Sequence, residues 1–199
     1  MRKLFFLFIL LVFAKISFTQ INISIRSGAN IATTKNLIAF PKNRLGWYAG
    51  VGAQIPVQER LFLQPELIYS SKGDKSDNQG STTTVALRLN YINLPLLIGY
   101  RFDRKTSIVF GPELGYLVAA RSIHGRNNNI DAINRYPPKF DVGASLGLQF
   151  RPINRTGIEI RYIYGANTLY SIDAVGARYS ENKGANRVFQ MGFTYVLHK

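Results

Sequence analysis

Residues whose types could support catalysis are few in this chain of 199 residues, which contains two histidines and no cysteine. In RSIHGRNNNIDAINRYPPK, His124 lies near Ser122 and Asp131, the residue types that a hydrolase combines as base, nucleophile and orienting carboxylate. Any polar loop offers such a trio, and histidines and carboxylates nowhere cluster at metal-ligand spacing. The residues therefore predict a non-enzymatic protein without cofactor or metal; a loop-based lipid-modifying enzyme is an alternative.

Two glutamates, Glu113 and Glu159, could form a carboxylate pair for acid–base chemistry. The nearby Arg88 and Arg161 favour structural ion pairs instead, because an unpaired buried charge is very costly. The glycines of GARYSENKGAN follow no strand-to-helix switch, so this stretch is not predicted to bind phosphate as a P-loop does.

The chain begins with the parts of a secretory signal. Arg2 and Lys3 precede an unbroken apolar run over residues 4–14, which is too short to span a membrane as a helix. We expect a signal peptide over residues 1–19 and one domain over residues 20–199. The exported part keeps 22 of the 25 lysines and arginines against 11 acidic residues, since Arg2, Lys3 and Lys15 leave with the signal. Anionic lipid headgroups such as lipopolysaccharide, or a charged protein, are expected partners of such a basic exported chain; nucleic acid is not.

Eight segments after the signal alternate apolar and polar residues with a period of two, as in GWYAGVGAQIPV and FDVGASLGLQF. The connections between them alternate in length. Three tight connections are predicted at residues 58–60, 102–105 and 152–155, and four long polar ones at residues 33–44, 73–84, 121–138 and 168–185. This sorting predicts an all-β fold, an eight-stranded antiparallel up-and-down transmembrane β-barrel in the outer membrane of a Gram-negative cell, with both termini in the periplasm.

The fourth segment, TVALRLNYINLPLLIGYR, has a less regular pattern. Its first half places Leu87, Leu89 and Tyr91 on the apolar outer face and Arg88 opposite them. The phase then becomes unclear at residues 93–95, where a β-bulge would also accommodate the proline.

The polar faces carry charges of both signs with glycines and small residues between them. An eight-stranded barrel is just wide enough for such side chains to fill it. We predict an interior charge network of Arg26, Glu66, Arg88, Glu113, Asp141, Glu159 and Arg161, and Lys72 shares this phase. Gly50 and Gly52 are expected to leave room for the larger side chains.

Aromatic residues lie mostly near the segment ends on the apolar face, where the interface girdles of membrane barrels occur. They are Tyr69, Tyr91, Tyr116, Tyr162, Tyr164, Phe189 and Tyr195. The third long loop is basic and is predicted to lie outside the cell, where it is either a solvated loop or a contact site for lipopolysaccharide or a partner protein. Its basic residues are Arg121, Arg126, Arg135 and Lys139.

The last segment, QMGFTYVLHK, resembles the C-terminal signal that the barrel-assembly machinery of Gram-negative outer membranes reads. The matching residues are Gln190, Gly192, Tyr195 and Leu197, followed by two residues where such chains commonly stop at an aromatic. This resemblance implies the assembly machinery as a partner during biogenesis.

Several segments resemble the PorT-type outer-membrane β-barrel family of Bacteroidota, most specifically LQPELIYSSKG and NYINLPLLIGY, together with FGPELGYLVAA and NRVFQMGFTYVL. The resemblance implies an eight-stranded outer-membrane barrel. It also implies an envelope structural or interaction role, with a link to protein secretion through the family's founding members. A small channel is a further alternative, although an interior filled by charged side chains argues against free passage.

Overall fold

The computed structural model describes residues 21–35, 41–76, 85–124, 128–131, 140–166 and 185–198. Among these residues no helix is long and apolar enough to cross a membrane. The described residues form nine strands: β1 (Asn22–Lys35), β2 (Pro41–Pro56), β3 (Leu61–Ser76), β4 (Val85–Arg101), β5 (Thr106–His124), β6 (Asn128–Asp131), β7 (Phe140–Phe150), β8 (Thr156–Gly165) and β9 (Ala185–His198).

Eight of these strands form a closed ring in which every pairing is antiparallel. The order around the ring is β1–β2–β3–β4–β5–β7–β8–β9, and the pairing of β9 with β1 closes it. Within the described ranges, the short strand β6 pairs only with the last residues of β5. The predicted eight-stranded antiparallel barrel is confirmed, with β6 as an extension of one hairpin.

Short connections join the strands at one end of the barrel, which we call the tight-turn end. They comprise residues 57–60, 102–105 and 151–155, as predicted to within a residue. Strand β1 begins and strand β9 ends at this same end. The opposite end, which we call the loop end, carries the connection of five residues between β1 and β2 and three longer ones, at residues 77–84, 125–139 and 166–184.

Asp103 stabilises one of the tight turns. Its Oδ1 accepts hydrogen bonds from the backbone N–H groups of Lys105, at 2.6 Å, and Thr106, at 2.7 Å. These two bonds favour the ionised carboxylate and hold the pKa of Asp103 below its usual range.

Strand pairing extends further at the loop end than the sequence indicates. The first long connection, predicted over residues 33–44, is shorter than expected, because β1 continues to Lys35 and β2 begins at Pro41. The residues in these extensions include Thr33, Lys35 and Asn43, which carry no apolar alternation. Backbone pairing needs no apolar side chains, so hydrophobic periodicity underestimates strand length there.

The polarity of the barrel is inverted relative to that of a soluble protein. Among the described residues, 32 large apolar side chains are exposed, whereas buried polar and charged residues outnumber buried apolar ones by 21 to 15. Strand β8 shows the pattern clearly, with Ile158, Ile160 and Tyr162 facing outward and Glu159 and Arg161 facing inward. An apolar exterior of this extent requires lipid around it.

The first half of strand β4 contradicts the predicted orientation. Leu87, Leu89 and Tyr91 are buried inside the barrel, at 3%, 0% and 0% exposure, and Arg88 is exposed on the outer face. The outward apolar residues of β4 come later, from Ile92 to Ile98. Near the loop end the outer face lies beyond the apolar band, the belt of outward apolar side chains that contacts lipid. There apolar residues can face the interior and polar residues the outside, the opposite of the arrangement within the band.

The predicted bulge at residues 93–95 is also wrong. The pairing of β4 with β3 keeps one register throughout, and β4 alternates without interruption from residue 91 to residue 100. The register shift lies instead between β4 and β5, where Asn90 pairs with Ala119 and Tyr91 with Leu117, leaving Val118 as the extra residue.

Exposed aromatic side chains meet near both ends of the barrel. At the loop end Trp47 contacts the half-buried Tyr69 with ring centroids 5.4 Å apart and the rings tilted by 35°, and Tyr116 contacts Phe140 at 5.1 Å. At the tight-turn end Tyr100 contacts Phe102 at 5.5 Å. These pairs occupy the levels expected for interface girdles. Tyr91, predicted to belong to a girdle, does not, because it faces the interior.

Candidate functional site

Four charged side chains meet in the middle of the barrel, and we call Arg26, Glu66, Glu159 and Arg161 the central ion cluster. Arg161 donates two hydrogen bonds to the Glu66 carboxylate, at 2.7 and 2.9 Å. Arg26 pairs with Glu159 and, at 3.2 Å, with Glu66, and Arg161 approaches Glu159 at 3.4 Å. All four side chains are at most 3% exposed. Two cations and two anions balance, which offsets the cost of burying them.

Uncharged polar side chains complete the hydrogen bonds of the cluster. The Tyr48 hydroxyl donates to Glu159 Oε1 at 2.9 Å, and Gln64 donates to Glu66. Gln54 donates to Gln64 at 2.7 Å and to Gln149 at 3.2 Å. The three glutamines form a polar layer between the cluster and the tight-turn end, and Tyr48 approaches the cluster from the loop-end side.

Two smaller polar contacts lie closer to the loop end. Lys72 Nζ pairs with Glu113 at 3.0 Å and lies 5.2 Å from the centre of the Tyr91 ring. Asp141 accepts a hydrogen bond from Asn186 at 2.8 Å, and within the described part of the chain no cation pairs with it.

Glycines make the space for these side chains. An ideal Cβ at Gly52 would lie 3.0 Å from Arg26 Nε and 3.2 Å from Glu66 Cγ, as expected for this position. The Tyr48 ring crosses Gly28 and Gly192 on the two next strands, and a Cβ at Gly192 would overlap the Tyr48 hydroxyl. Gly50 instead faces the Ile68 side chain.

Three side-chain hydrogen bonds in the interior cross the full diameter of the barrel. Strands β3 and β8, which carry Glu66 and Arg161, are four positions apart in the ring of eight and therefore lie opposite each other. The same is true of the strands that carry Gln54 and Gln149.

Nearer the loop end, Asn186 on β9 reaches the Tyr91 hydroxyl on the opposite strand β4 at 3.4 Å. At the tight-turn end, a cavity of about 20 Å³ lined by Gln54 and Gln149 has room for about one water molecule. Side chains thus close the interior at three levels.

The predicted charge network is only partly one unit. The structure brings Arg26, Glu66, Glu159 and Arg161 together, whereas Glu113 pairs with Lys72, and Asp141 bonds to an amide. Arg88 was placed wrongly, because it lies on the outer face. Sequence reasoning did not find Tyr48, Gln54, Gln64 and Gln149, although each follows the inward phase of its strand.

The residues considered for catalysis lie on the β5–β6 hairpin. In backbone register Ser122 pairs with Ile130 and His124 with Asn128, while Asp131 pairs with Arg121. Arg126, Arg135 and Lys139 of the basic loop lie outside the described residues, and Arg121 is exposed at the end of β5. Within the described residues, no group of three or more histidines and carboxylates could hold a metal ion.

The residues predicted to form the assembly signal lie on the closing strand β9. Gln190 and Gly192 face the interior, and Tyr195 and Leu197 are exposed on the outer face. Their part in biogenesis stays a prediction. The geometry adds a structural reason for Gly192, which is the space taken by Tyr48.

The closed ring, the apolar exterior and the polar interior agree with a comparison to known families. Residues 14–171 match the family model described as outer membrane protein beta-barrel domain. The chain belongs to this family. As a member of it, the protein is an outer-membrane β-barrel, and its apolar face contacts the lipid of that membrane.

Two solved structures show the same fold for this outer-membrane barrel. Ail, the attachment invasion locus protein of Yersinia pestis, in complex with the heparin analogue sucrose octasulfate, is 14% identical, with a TM-score of 0.52; the match covers 90% of this chain and all of Ail. Neisserial surface protein A is 11% identical, with a TM-score of 0.55, covering 87% of this chain and 96% of that one. No curated protein matches the chain. At these identities the likeness concerns the fold alone.

Proposed function

We propose that this outer-membrane barrel is a non-enzymatic structural or interaction protein of the cell envelope. The hydrogen bonds across the full diameter of the barrel are the observation that carries the proposal. They favour a rigid, closed scaffold over a channel, because an eight-stranded barrel has no further width once its interior is filled. The loop end then supplies the surface for partners.

The proposed orientation has the loop end outside the cell and both termini in the periplasm. Its support is the sorting of the connections, since outer-membrane barrels keep short turns in the periplasm and longer loops outside. The sequence of the third long loop is basic, and in this orientation the loop follows the outer end of β5, which favours contacts with anionic lipopolysaccharide or an acidic protein.

The resemblance to PorT-type proteins of Bacteroidota extends the proposal to an accessory role in protein secretion. Affinity purification of the full-length protein from outer membranes, after crosslinking in intact cells, should recover envelope or secretion proteins. A matched sample prepared from cells in which a soluble domain carries the same tag serves as control.

The secretion part of the proposal has its own test. A deletion strain should lose secreted proteins from the medium and regain them with the wild-type gene. Normal secretion in the deletion strain would leave the envelope role standing and remove the secretion role.

A further inference from the structure

Arg88 is an unusual side chain on the outside of this barrel. It is exposed on strand β4 and, within the described residues, takes part in no hydrogen bond or ion pair. A cation on the outer surface of a membrane barrel is costly within the hydrocarbon and favourable beside anionic headgroups. Its position relative to the membrane therefore decides its role.

The aromatic girdle gives that position. Tyr69, which contacts the Trp47 ring, pairs with Ile92, and Arg88 lies four residues beyond Ile92 toward the loop end. Four residues extend about 13 Å along a strand, or about 10 Å along the membrane normal at the usual tilt of a barrel strand. Arg88 thus lies above the apolar band, at the level of the lipid headgroups.

A groove of about 400 Å³ adjoins Arg88 on the outer surface. Its lining includes Arg44, Leu45, Trp47, Ser71, Arg88 and Asn90. Arg44 is held in place, because its Nη1 donates to Ser71 Oγ at 3.3 Å and to the Lys72 carbonyl at 2.9 Å. Among the described residues of the lining the charged side chains are Arg44 and Arg88, and Arg88 is the exposed one of the two.

The two sides of the groove call for an amphipathic occupant. Leu45 and Trp47 are 71% and 54% exposed on the outer face of β2, and Arg88 is exposed on β4 across the groove from them. An acidic protein segment would match the arginine but would place charged groups against the apolar side of the groove, where burying them without partners is costly. A membrane lipid with a phosphorylated headgroup matches both sides of the groove. A guanidinium group binds phosphate in a bidentate manner, and the acyl chains cover the apolar side.

We infer that this groove binds the phosphorylated headgroup of a glycolipid of the outer leaflet, with Arg88 contacting the phosphate and Trp47 packing against the sugar and the first part of the acyl chains. Residence in the outer leaflet rests on the proposed orientation of the loop end. The binding itself does not, because it can be measured on the purified barrel in detergent.

Trp47 is the chain's single tryptophan and lines the groove, so its fluorescence reports binding directly. The full-length barrel, refolded in detergent, is titrated with bisphosphorylated lipid A. We expect a saturable change in Trp47 emission, and in Arg88→Gln an apparent Kd about tenfold higher. Arg104→Gln, the same change at an exposed position of the tight-turn end, should leave the Kd unchanged.

Three outcomes would overturn the inference. One is an unchanged Kd in Arg88→Gln, with folding checked by heat-modifiable migration. Another is equal binding of dephosphorylated lipid A, which would show that only the apolar side matters. The third is equal binding of phosphatidylglycerol, which would show a general attraction to anionic lipid. Because the titration uses purified protein, each outcome is independent of whether envelope proteins co-purify or secretion changes in cells.

Discussion

Removing one charge from the central ion cluster should destabilise the barrel strongly. Glu66→Gln keeps the size of the side chain but leaves two guanidinium groups beside a single carboxylate, Glu159. It also turns an amide donor toward Arg161, which at present donates two bonds to Glu66. Because these side chains are at most 3% exposed, the excess charge has no access to water. Breaking a buried ion pair on one side costs about 3–5 kcal/mol, which we expect as the loss in free energy of unfolding.

Urea titration of the barrel refolded in lipid vesicles measures this loss, with Trp47 emission and heat-modifiable migration as two probes of unfolding. Glu59→Gln provides the matched control, since it removes the same charge from an exposed turn. The double variant Glu66→Gln/Arg161→Gln restores the balance of charge and should be more stable than the sum of the two single changes by about 1–3 kcal/mol. Equal unfolding midpoints for Glu66→Gln and Glu59→Gln would refute the reasoning.

Two further predictions follow from the same geometry. Gly192→Ala should destabilise the barrel by about 1–3 kcal/mol in the same urea titration, because its Cβ overlaps the Tyr48 hydroxyl and the Ser27 carbonyl oxygen, whereas the nearest atom to a Cβ at Gly157 is 3.2 Å away, so that Gly157→Ala should cost less; similar losses in both variants would contradict this crowding at Gly192. Since the chain has no cysteine, single substitutions report orientation: a membrane-impermeant maleimide should label Arg121→Cys in intact cells, and Arg104→Cys only after the outer membrane is opened. The reverse labelling would show that the loop end faces the periplasm.

The strict alternation of apolar and polar residues within the apolar band makes most of the fold predictable from the sequence. In β8, Ile158, Glu159, Ile160 and Arg161 define both faces of the strand, and the structure keeps that assignment. A strand whose outer face contacts lipid must place its apolar side chains outward. The polarity of successive residues therefore determines which of them face the lipid and which face the interior.

Beyond the apolar band this constraint disappears, and there the predicted orientation of side chains is wrong. The apolar character of Leu87 and Leu89 predicts that they face lipid, yet they fill the interior and leave Arg88 outside. Where the outer face contacts headgroups or water, either phase is acceptable, and β4 there keeps the phase that Ile92–Ile98 set in the apolar band, because its alternation runs unbroken from residue 87 to residue 100.

The sequence predicts most of the charged residues that face the interior, but it does not predict which of them pair with each other. Arg161 and Glu66 are 95 residues apart in the chain and lie on opposite strands. Which inward residues share one level depends on the stagger of all the strands around the ring, and the alternation along a single strand carries no information about that stagger.

Conductance of the wild-type protein in planar lipid bilayers tests the central claim most directly. A barrel closed at three levels by side chains should give no current steps after insertion, under conditions in which a general porin added to the same bilayer conducts. Reproducible steps from the purified wild-type barrel would contradict the closed interior and, with it, the proposed role as a non-conducting envelope scaffold.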